Sequence, residues 1–352
     1  MSTARFDKRP RSHTIVLVAN VLVAATLIVV GVAVVWANNK VGERLVVNID
    51  GASPATPGAT TSEGSPVEEW NLDTSGLRAE NFLLTGSDNG ACPDKGDGTA
   101  GGIGDRTSFG ERSDTIMVLR VDPAVNDVAV LSFPRDLWVN IGDSDNTERI
   151  NVAYREGAPV VVRTVTRALG IPIHHYLEID FQGFKDLVDA VGGVTVCVEY
   201  PTRDRNTGLY IRPGCKNLNG VQSLAYARSR YFEEKIDGQW KVDGTSDIGR
   251  GKRQRLFTAL LMQTAVNRTL GDPFRAGRIM QGATSALLVD ERLDMVEFAQ
   301  LMRPAATGKL RRFALDTYGD TVRGNSVLRL AGSSAAVLAF YSGTGPAPVP
   351  PE

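Results

Sequence analysis

The sequence is short of the residues on which many catalytic sites are built. It holds three histidines, His13 near the N-terminus and the pair His174-His175 at the entry of a strand-like run. Neither a zinc site nor a Ser-His-Asp hydrolase is well served by that set. There is no Gly-x-x-x-x-Gly-Lys-Ser/Thr loop and no Gly-x-Ser-x-Gly elbow, so two common signs of nucleotide binding and acyl transfer are missing. A charge excess is missing too, with 39 Lys+Arg against 40 Asp+Glu. Proteins that bind nucleic acid usually carry a basic excess, so nucleic acid is not an expected partner and any cationic site must be local. Cysteine is scarce, at three residues. Cys197 and Cys215 bracket a polar loop, Glu199 to Gly214, of a length whose closure by a disulfide contributes about 3 kcal/mol. The alternative is three unpaired small apolar side chains. Cys92 is left over in a glycine-rich stretch as an exposed thiol. No internal repeat is visible.

A long apolar run is present. Ile15 to Trp36 carries no charge and is broken only by Asn20, Thr26 and Gly31. At about 1.5 Å per residue its helix spans the roughly 30 Å hydrocarbon core. Arg5, Lys8, Arg9 and Arg11 precede it, which puts residues 1–14 in the cytoplasm and everything after the span outside. The run exceeds the roughly 7–15 apolar residues of a signal peptide, and Val35-Trp36-Ala37 is a poor cleavage site. The expectation is an uncleaved anchor in the cell membrane, with residues 15–36 as a transmembrane helix. Residues 37–75, rich in Pro, Gly, Ser and Thr, are expected to form a flexible stalk. Residues 76–342 then make the extracytoplasmic domain, and the Pro-rich end, 343–352, a disordered tail.

Inside that domain apolar runs of strand type alternate with helical spacing. Strands are expected at Asn81–Leu84, Thr115–Val121, Val128–Phe133, Tyr176–Ile179, Val194–Val198 and near Arg312–Leu315. Helices are expected at Ala158–Leu169, at Phe181–Val191 (ended by Gly192-Gly193), after Asn219-Gly220, and from Ile248 to about Leu270 with Ser246 or Asp247 as its cap. Further helical patches are read around Asp294–Met302 and Ser326–Tyr341. The pattern is α/β, a central sheet with helices on its faces.

Arginines and aspartates gather at the ends of these elements. Arg250, Arg253 and Gln254 stand at i, i+3 and i+4, on one face of the helix that Asp247 opens. Lys252 and Arg255 fall elsewhere and read as solvated charges. Arg228 and Arg230 converge only if their helix ends near Ala227 and the chain becomes extended, since i and i+2 align in a strand. Arg112 and Asp114 precede one buried strand, and Asp88 and Arg135-Asp136 follow two others. Arginine forks match phosphate oxygens in pairs, and carboxylates with phosphate oxygens suit a divalent cation. The set suits a diphosphate. The plainer readings are surface ion pairs for the arginines and turn positions for Asp88 and Asp114. Phe181, Phe184, Leu187, Val188 and Val191 read as core, with an apolar lining for a lipid as the alternative.

Seven segments in order resemble the LytR-CpsA-Psr family of cell-wall enzymes: Asn81–Asp88, Arg112–Val118, Leu131–Asp136, Ile150–Tyr154, His175–Phe181, Leu218–Arg230, and Ser246–Arg250 with Arg253-Gln254. The resemblance implies a mixed central sheet flanked by helices, with a groove for a prenyl chain. It implies a phosphotransferase that moves a glycopolymer from a polyprenyl-pyrophosphate carrier onto a peptidoglycan hydroxyl. Carried onto this chain, Asp88 and Asp114 hold Mg²⁺. Arg112, Arg135, Arg228, Arg230, Arg250 and Arg253 surround the pyrophosphate, and Gln254 supports it. Arg135, Asp136 and Asp247 form the catalytic set, with Asp136 and Asp247 as candidate bases. Mn²⁺ accepts the same oxygen ligands. Composition and the Cys197–Cys215 spacing resemble the actinobacterial branch, which implies arabinogalactan on a decaprenyl carrier. The chain departs from the pattern in a glycine-rich insertion, Asn89 to Glu111, where Arg106 could supply the basic residue expected soon after Asp88. A pyrophosphatase using water as acceptor, or a non-catalytic wall-binding protein, are the other readings of the same residues.

Overall fold

The computed structural model describes residues 45–49, 78–88, 112–271, 273–307 and 310–349. Residues 1–14, the expected membrane span, most of the expected stalk, the insertion 89–111 with Cys92, and the last three residues of the expected C-terminal tail lie outside the described residues. Among the described residues no helix is long and apolar enough to cross a membrane.

Seven strands make the central sheet: β1 Leu45–Val47, β2 Glu80–Asp88, β3 Arg112–Asp122, β4 Asp127–Phe133, β5 His175–Asp180, β6 Leu287–Asp290 and β7 Arg311–Ala314. They lie in the order β1-β6-β5-β2-β3-β4-β7. β1/β6, β5/β2 and β4/β7 are parallel, and the other neighbours antiparallel. Five helices frame the site: α1 Ala158–Leu169, α2 Phe181–Val191, α3 Gly220–Arg228, α4 Ser246–Gly271 and α5 Pro273–Ala286.

Both faces of the sheet are covered, which is why its inner strands read as apolar runs rather than as alternation. Leu83, Val118 and Leu131 pack against Val161, Val162 and Val165 of α1 and against Phe340 and Tyr341 of the C-terminal helix Ala335–Ser342. On the opposite face α4 lies over β3 and β4. Its Thr258 hydroxyl sits 3.9 Å from Met117 Sδ and its Arg255 donates to Ser132 Oγ at 2.6 Å. Met117 and Ser132 stand directly across from each other in the β3–β4 register. A second core joins Val188 of α2, Tyr226 of α3 and Phe257 of α4 to Val194, Val196, Leu209 and Ile211. α2 stops as read, because Gly192 and Gly193 both adopt positive φ, 89° and 87°, a region that costs glycine nothing.

Four expectations change. Leu45–Val47, inside the segment expected to be stalk, is an edge strand beside β6, and Ile49 is buried in the first core. Val194–Val198 leaves the central sheet and pairs with Gly214–Leu218. A four-stranded sheet of Leu209–Ile211, Thr202–Asp204, Glu233–Ile236 and Gln239–Val242 has no counterpart in the reading above, since its charged strands lack clean alternation. Finally, Ser326–Tyr341 is not one helical patch. Asn325–Leu330 is a strand paired with Thr317–Val322, and the helix begins at Ala335. Val327 and Leu328 belong to a hairpin, and apolar spacing alone does not separate that from a helix.

Cys197 and Cys215 face each other across the antiparallel pair, with Cα atoms 3.9 Å apart, and form a disulfide. Replacing both by serine is expected to cost about 3 kcal/mol, read as a lower denaturant midpoint. Thiol labelling of unreduced, denatured protein is expected at Cys92 alone.

The two central histidines are structural. His175 Nδ1 lies 3.1 Å from the buried Asp290 carboxylate, and its ring stacks on Phe82. His174 Nδ1 accepts the Asn81 backbone N–H at 3.0 Å, which only a ring unprotonated at that nitrogen can do. Burial, with the neighbouring His175 next in weight, takes its pKa from 6.5 down to about 4. Between those values the unfolded chain holds the extra proton, so stability is full above pH 6.5 and falls as pH drops toward 4. His174→Asn should flatten the urea midpoint over that range; an unchanged slope would remove this role from His174.

Candidate active site

One end of the central sheet collects the residues that the sequence singled out. Asp88 closes β2 and pairs with Arg112, which opens β3. Ser87 pairs with Ser113 and Gly86 with Thr115, so Asp114 is an extra residue, a β-bulge inside β3 rather than a residue ahead of it. Bulges re-aim a side chain and are frequent beside active sites. Phe133 pairs with Ile116, which carries Pro134 and Arg135 past the same end of the sheet. Ser87 also pairs with Asp180, the last residue of β5, so α2 starts here as well. Of Asp88, Arg112, Asp114 and Asp247 the backbone is described; their side chains lie outside the described set.

Arg135 and Asp136 are tied into the frame. Arg135 Nε and Arg149 Nε each lie 3.5 Å from one of the two Asp136 carboxylate oxygens. The Asp136 carbonyl accepts from Leu328 N–H at 2.9 Å, and the Arg135 carbonyl from Asn151 N–H at 3.3 Å. Both carboxylate oxygens of Asp136 thus engage guanidinium groups, which fits a positioning role.

α3 opens with a capping box between Asn219 and Gln222 and ends at Arg228. Ser229 then turns extended, with φ −58° and ψ 125°. That is the break on which the convergence of Arg228 and Arg230 depends. Its cause is Asp204, which is fully buried. One Asp204 oxygen accepts Ser229 Oγ at 2.7 Å, Arg230 N–H at 3.1 Å and Tyr231 N–H at 3.0 Å. The other accepts Asn206 N–H at 2.8 Å. Arg228 reaches the first residue of α2, its guanidinium 4.6 Å from the Phe181 ring centroid.

α4 begins at Ser246. The Thr245 carbonyl accepts the N–H groups of Ile248 and Gly249, so the cap is Thr245, ahead of the expected Ser246 or Asp247. Arg250 and Arg253 are 6% and 7% exposed, which sets aside the reading of ordinary surface ion pairs. Arg253 donates to Asp243 Oδ2 at 2.8 Å and to the Ser229 carbonyl at 2.6 Å, and its guanidinium lies 4.4 Å from the Phe232 ring centroid. Two of its N–H groups are thereby used of the five an arginine offers. Gly249 makes room for this pair: a Cβ there would stand 2.8 Å from Asp243 Oδ2 and 3.1 Å from Arg253 Nη1. Burial raises the Asp243 carboxyl, but the Thr245 N–H and Arg253 outweigh it and hold the group below its ordinary range.

Lys252 is exposed as expected, and Gln254 is half-buried beside Arg253. Arg255 differs from expectation. It is half-buried against Ser132, two residues before Pro134, and burial with the nearby Arg312 brings it down to about 10. Arg255, read as solvated with Lys252, instead points toward the sheet. Direct contacts therefore join the end of α3 to the first turns of α4, and α4 to the end of β4. Asp204, Asp243 and Arg255 were missed in the sequence. Asp204 and Asp243 lack a local motif, and Arg255 differs in no way from a surface arginine until the sheet is placed.

The family model LytR_cpsA_psr matches residues 47–339. The chain belongs to the LytR-CpsA-Psr family. A probable cell wall biosynthesis protein, LcpB of Corynebacterium glutamicum, is 34% identical over 280 residues, 78% of this chain and 58% of LcpB. TagV of Bacillus subtilis, named a polyisoprenyl-teichoic acid–peptidoglycan teichoic acid transferase, is 37% identical over 179 residues, 47% of this chain and 43% of TagV. The chain thus spans about half the length of the curated relatives it matches. Among solved structures, the LytR-Csp2A-Psr enzyme from Actinomyces oris superposes with a TM-score of 0.62 at 23% identity, covering 85% of this chain and 96% of the other. The mixed sheet with helices on both faces is the architecture shared with that LytR-CpsA-Psr structure. Six of the seven segments that carried the resemblance end at, or begin beside, the sheet end and the α3–α4 junction; Ile150–Tyr154 lies next to it, behind Arg149.

Proposed function

We propose that this LytR-CpsA-Psr chain is a membrane-anchored phosphotransferase, moving a glycopolymer from a polyprenyl-pyrophosphate carrier to a peptidoglycan hydroxyl. The observation that carries the reading is the buried Arg253. It ties the extended turn after α3 to the start of α4, one helical turn from the equally buried Arg250. Arg253 keeps N–H groups beyond those that Asp243 and the Ser229 carbonyl take, and a diphosphate accepts from guanidinium forks in pairs. The names of TagV and LcpB support a wall polymer as cargo. The actinobacterial resemblance and the Corynebacterium match support arabinogalactan on a decaprenyl carrier.

In this reaction the acceptor hydroxyl oxygen bonds to the phosphorus that carries the glycan. The bond from that phosphorus to the bridging oxygen breaks, and lipid monophosphate leaves with the electron pair. The hydroxyl proton passes to Asp247 in the first turn of α4, because Asp136 is engaged by two guanidinium groups. Phosphoryl transfer asks for positioning and charge neutralisation. Arg112, Arg135, Arg228, Arg230, Arg250 and Arg253 supply both, with Gln254 in support. Asp88 and Asp114, brought to paired strand ends by the bulge, fit a hard cation such as Mg²⁺ or Mn²⁺. When bound, that cation would neutralise charge on the diphosphate oxygens. Ile15–Trp36 anchors the domain at the outer face of the cell membrane, where lipid-linked polymer and wall meet.

The test uses the full chain in detergent, a short glycan on a polyprenyl pyrophosphate, Mg²⁺ and peptidoglycan fragments. Mass spectrometry should find a glycan–phosphate–peptidoglycan product that Arg253→Ala loses. Lipid monophosphate without linked product would replace the transferase with a hydrolase, and no turnover would leave a binding protein.

A further inference from the structure

A cavity of about 200 Å³ opens beside the candidate site, lined by Trp138, Glu148, Arg149, Asn151, Arg155 and Asn325, with Val152. It is built by the hairpin Trp138–Asn140/Thr147–Arg149, the 3₁₀ turns of Ile150–Glu156, and the start of the strand Asn325–Leu330. We infer that this cavity is a saccharide subsite that seats one pyranose ring of the acceptor glycan. That it serves the acceptor rests on the transferase reading above; that it binds a sugar rests on its lining alone.

The lining suits a sugar better than other ligands. A pyranose presents hydroxyls, each both donor and acceptor, on a ring with apolar C–H faces. The indole of Trp138 offers an apolar plane with one N–H. Arg149 and Arg155 donate, Glu148 accepts, and the amides of Asn151 and Asn325 do both. A phosphate would meet the Glu148 carboxylate. A lipid tail would strip water from two guanidinium groups and a carboxylate with nothing in return. Asn151 Oδ1 is shut off from solvent and has no hydrogen-bond partner among the described residues. The volume lies below the roughly 300–1,000 Å³ of sites for drug-sized ligands, so it takes one ring and not a chain.

Its position links it to the chemistry. Arg149 shares the Asp136 carboxylate with Arg135, each guanidinium 3.5 Å away. The Asn151 N–H holds the Arg135 carbonyl at 3.3 Å. A ring seated against Trp138 is thus held by the same short segment that sets Arg135 at the phosphate site. Asp136 becomes a positioning residue between two subsites.

The experiment is ligand-observed NMR on the full chain in detergent, without any lipid donor, titrating a peptidoglycan tetrasaccharide freed of its stem peptides. Maltotetraose serves as the reference sugar. The wild type should bind the tetrasaccharide in preference to maltotetraose. Trp138→Ala and Asn325→Ala should each weaken binding by about tenfold or more, the usual effect of removing an anchoring contact, and Trp138→Phe should retain most of it. Asn325 is exposed, so its variant keeps the test decisive if Trp138→Ala fails to fold. Undiminished binding in the folded Asn325→Ala and Trp138→Ala proteins would overturn the subsite, as would no binding by the wild type. Binding that follows the expected pattern in a protein that transfers nothing would uphold the saccharide subsite while removing the transferase.

Discussion

Arg253→Ala is expected to lower glycopolymer transfer by about 10²–10³-fold, the scale for loss of one preorganised donor to developing charge. Sequence alone suggests that such a change deletes charge and spares the fold. The structure corrects that. Arg253 is 7% exposed and joins Asp243, the Ser229 carbonyl and Phe232. Its truncation leaves a buried carbonyl unpaired, at about 1–3 kcal/mol, and empties the space over Phe232. Activity must therefore be compared at a temperature where the variant remains folded. Arg253→Lys separates the two effects. It keeps the charge and much of the packing but replaces a planar fork with a point donor. It is expected to stay within about 2 kcal/mol of the wild type and to lose about 10²-fold in rate. Near-full transfer by a folded Arg253→Ala protein would remove the pyrophosphate site from the α3–α4 junction.

Asp204 should be the more costly residue for folding. It touches no proposed substrate, yet one of its oxygens takes three donors and the other takes a fourth. Asp204→Ala removes the shared acceptor of the buried Ser229 hydroxyl and of three partly buried backbone N–H groups. The expected loss is about 3–5 kcal/mol, from several donors unpaired at about 1–3 kcal/mol each when buried, or roughly 10 °C or more in melting temperature for a domain of this size. Asp204→Asn is the sharper variant. An amide fits the space, but it brings one oxygen and an NH₂ to a place with donors on both sides. It should lose most of the same stability, and what folds should transfer poorly because Arg228 and Arg230 are no longer set by an extended turn. A melting temperature within about 2 °C of the wild type would mean that the turn after α3 holds itself.

These two residues mark where the sequence stops being informative. α1 and α2 match their expected bounds because periodicity, a proline start and glycine stops all act within a dozen residues. β4 and β5 were close for the same reason. The break after Arg228 could be stated as a condition but not as a fact, since the group that causes it lies 25 positions earlier at Asp204. The bulge at Asp114 is a property of two strands in register, so neither strand alone reveals it. Arg255 looked solvated because a helical wheel says which residues share a face, not which face meets the sheet. The hairpin at Thr317–Leu330 and the four-stranded sheet around Glu233 escaped for a different reason. Their strands are short, polar and stabilised by cross-strand contacts such as Arg203 with Glu233 and Trp240.

The small strand β1 carries a practical consequence. It occupies the outer edge of the sheet, paired along its length with β6, and Ile49 behind it is buried at 2% exposure. A soluble fragment trimmed to residue 76, where composition suggests folding begins, would uncover the backbone donors and acceptors of β6 and the cavity left by Ile49. An uncapped sheet border of that kind recruits strands from neighbouring molecules. Such a fragment would pair with itself and aggregate more readily than one that keeps residues 40 onward, whose border strand is only three residues long.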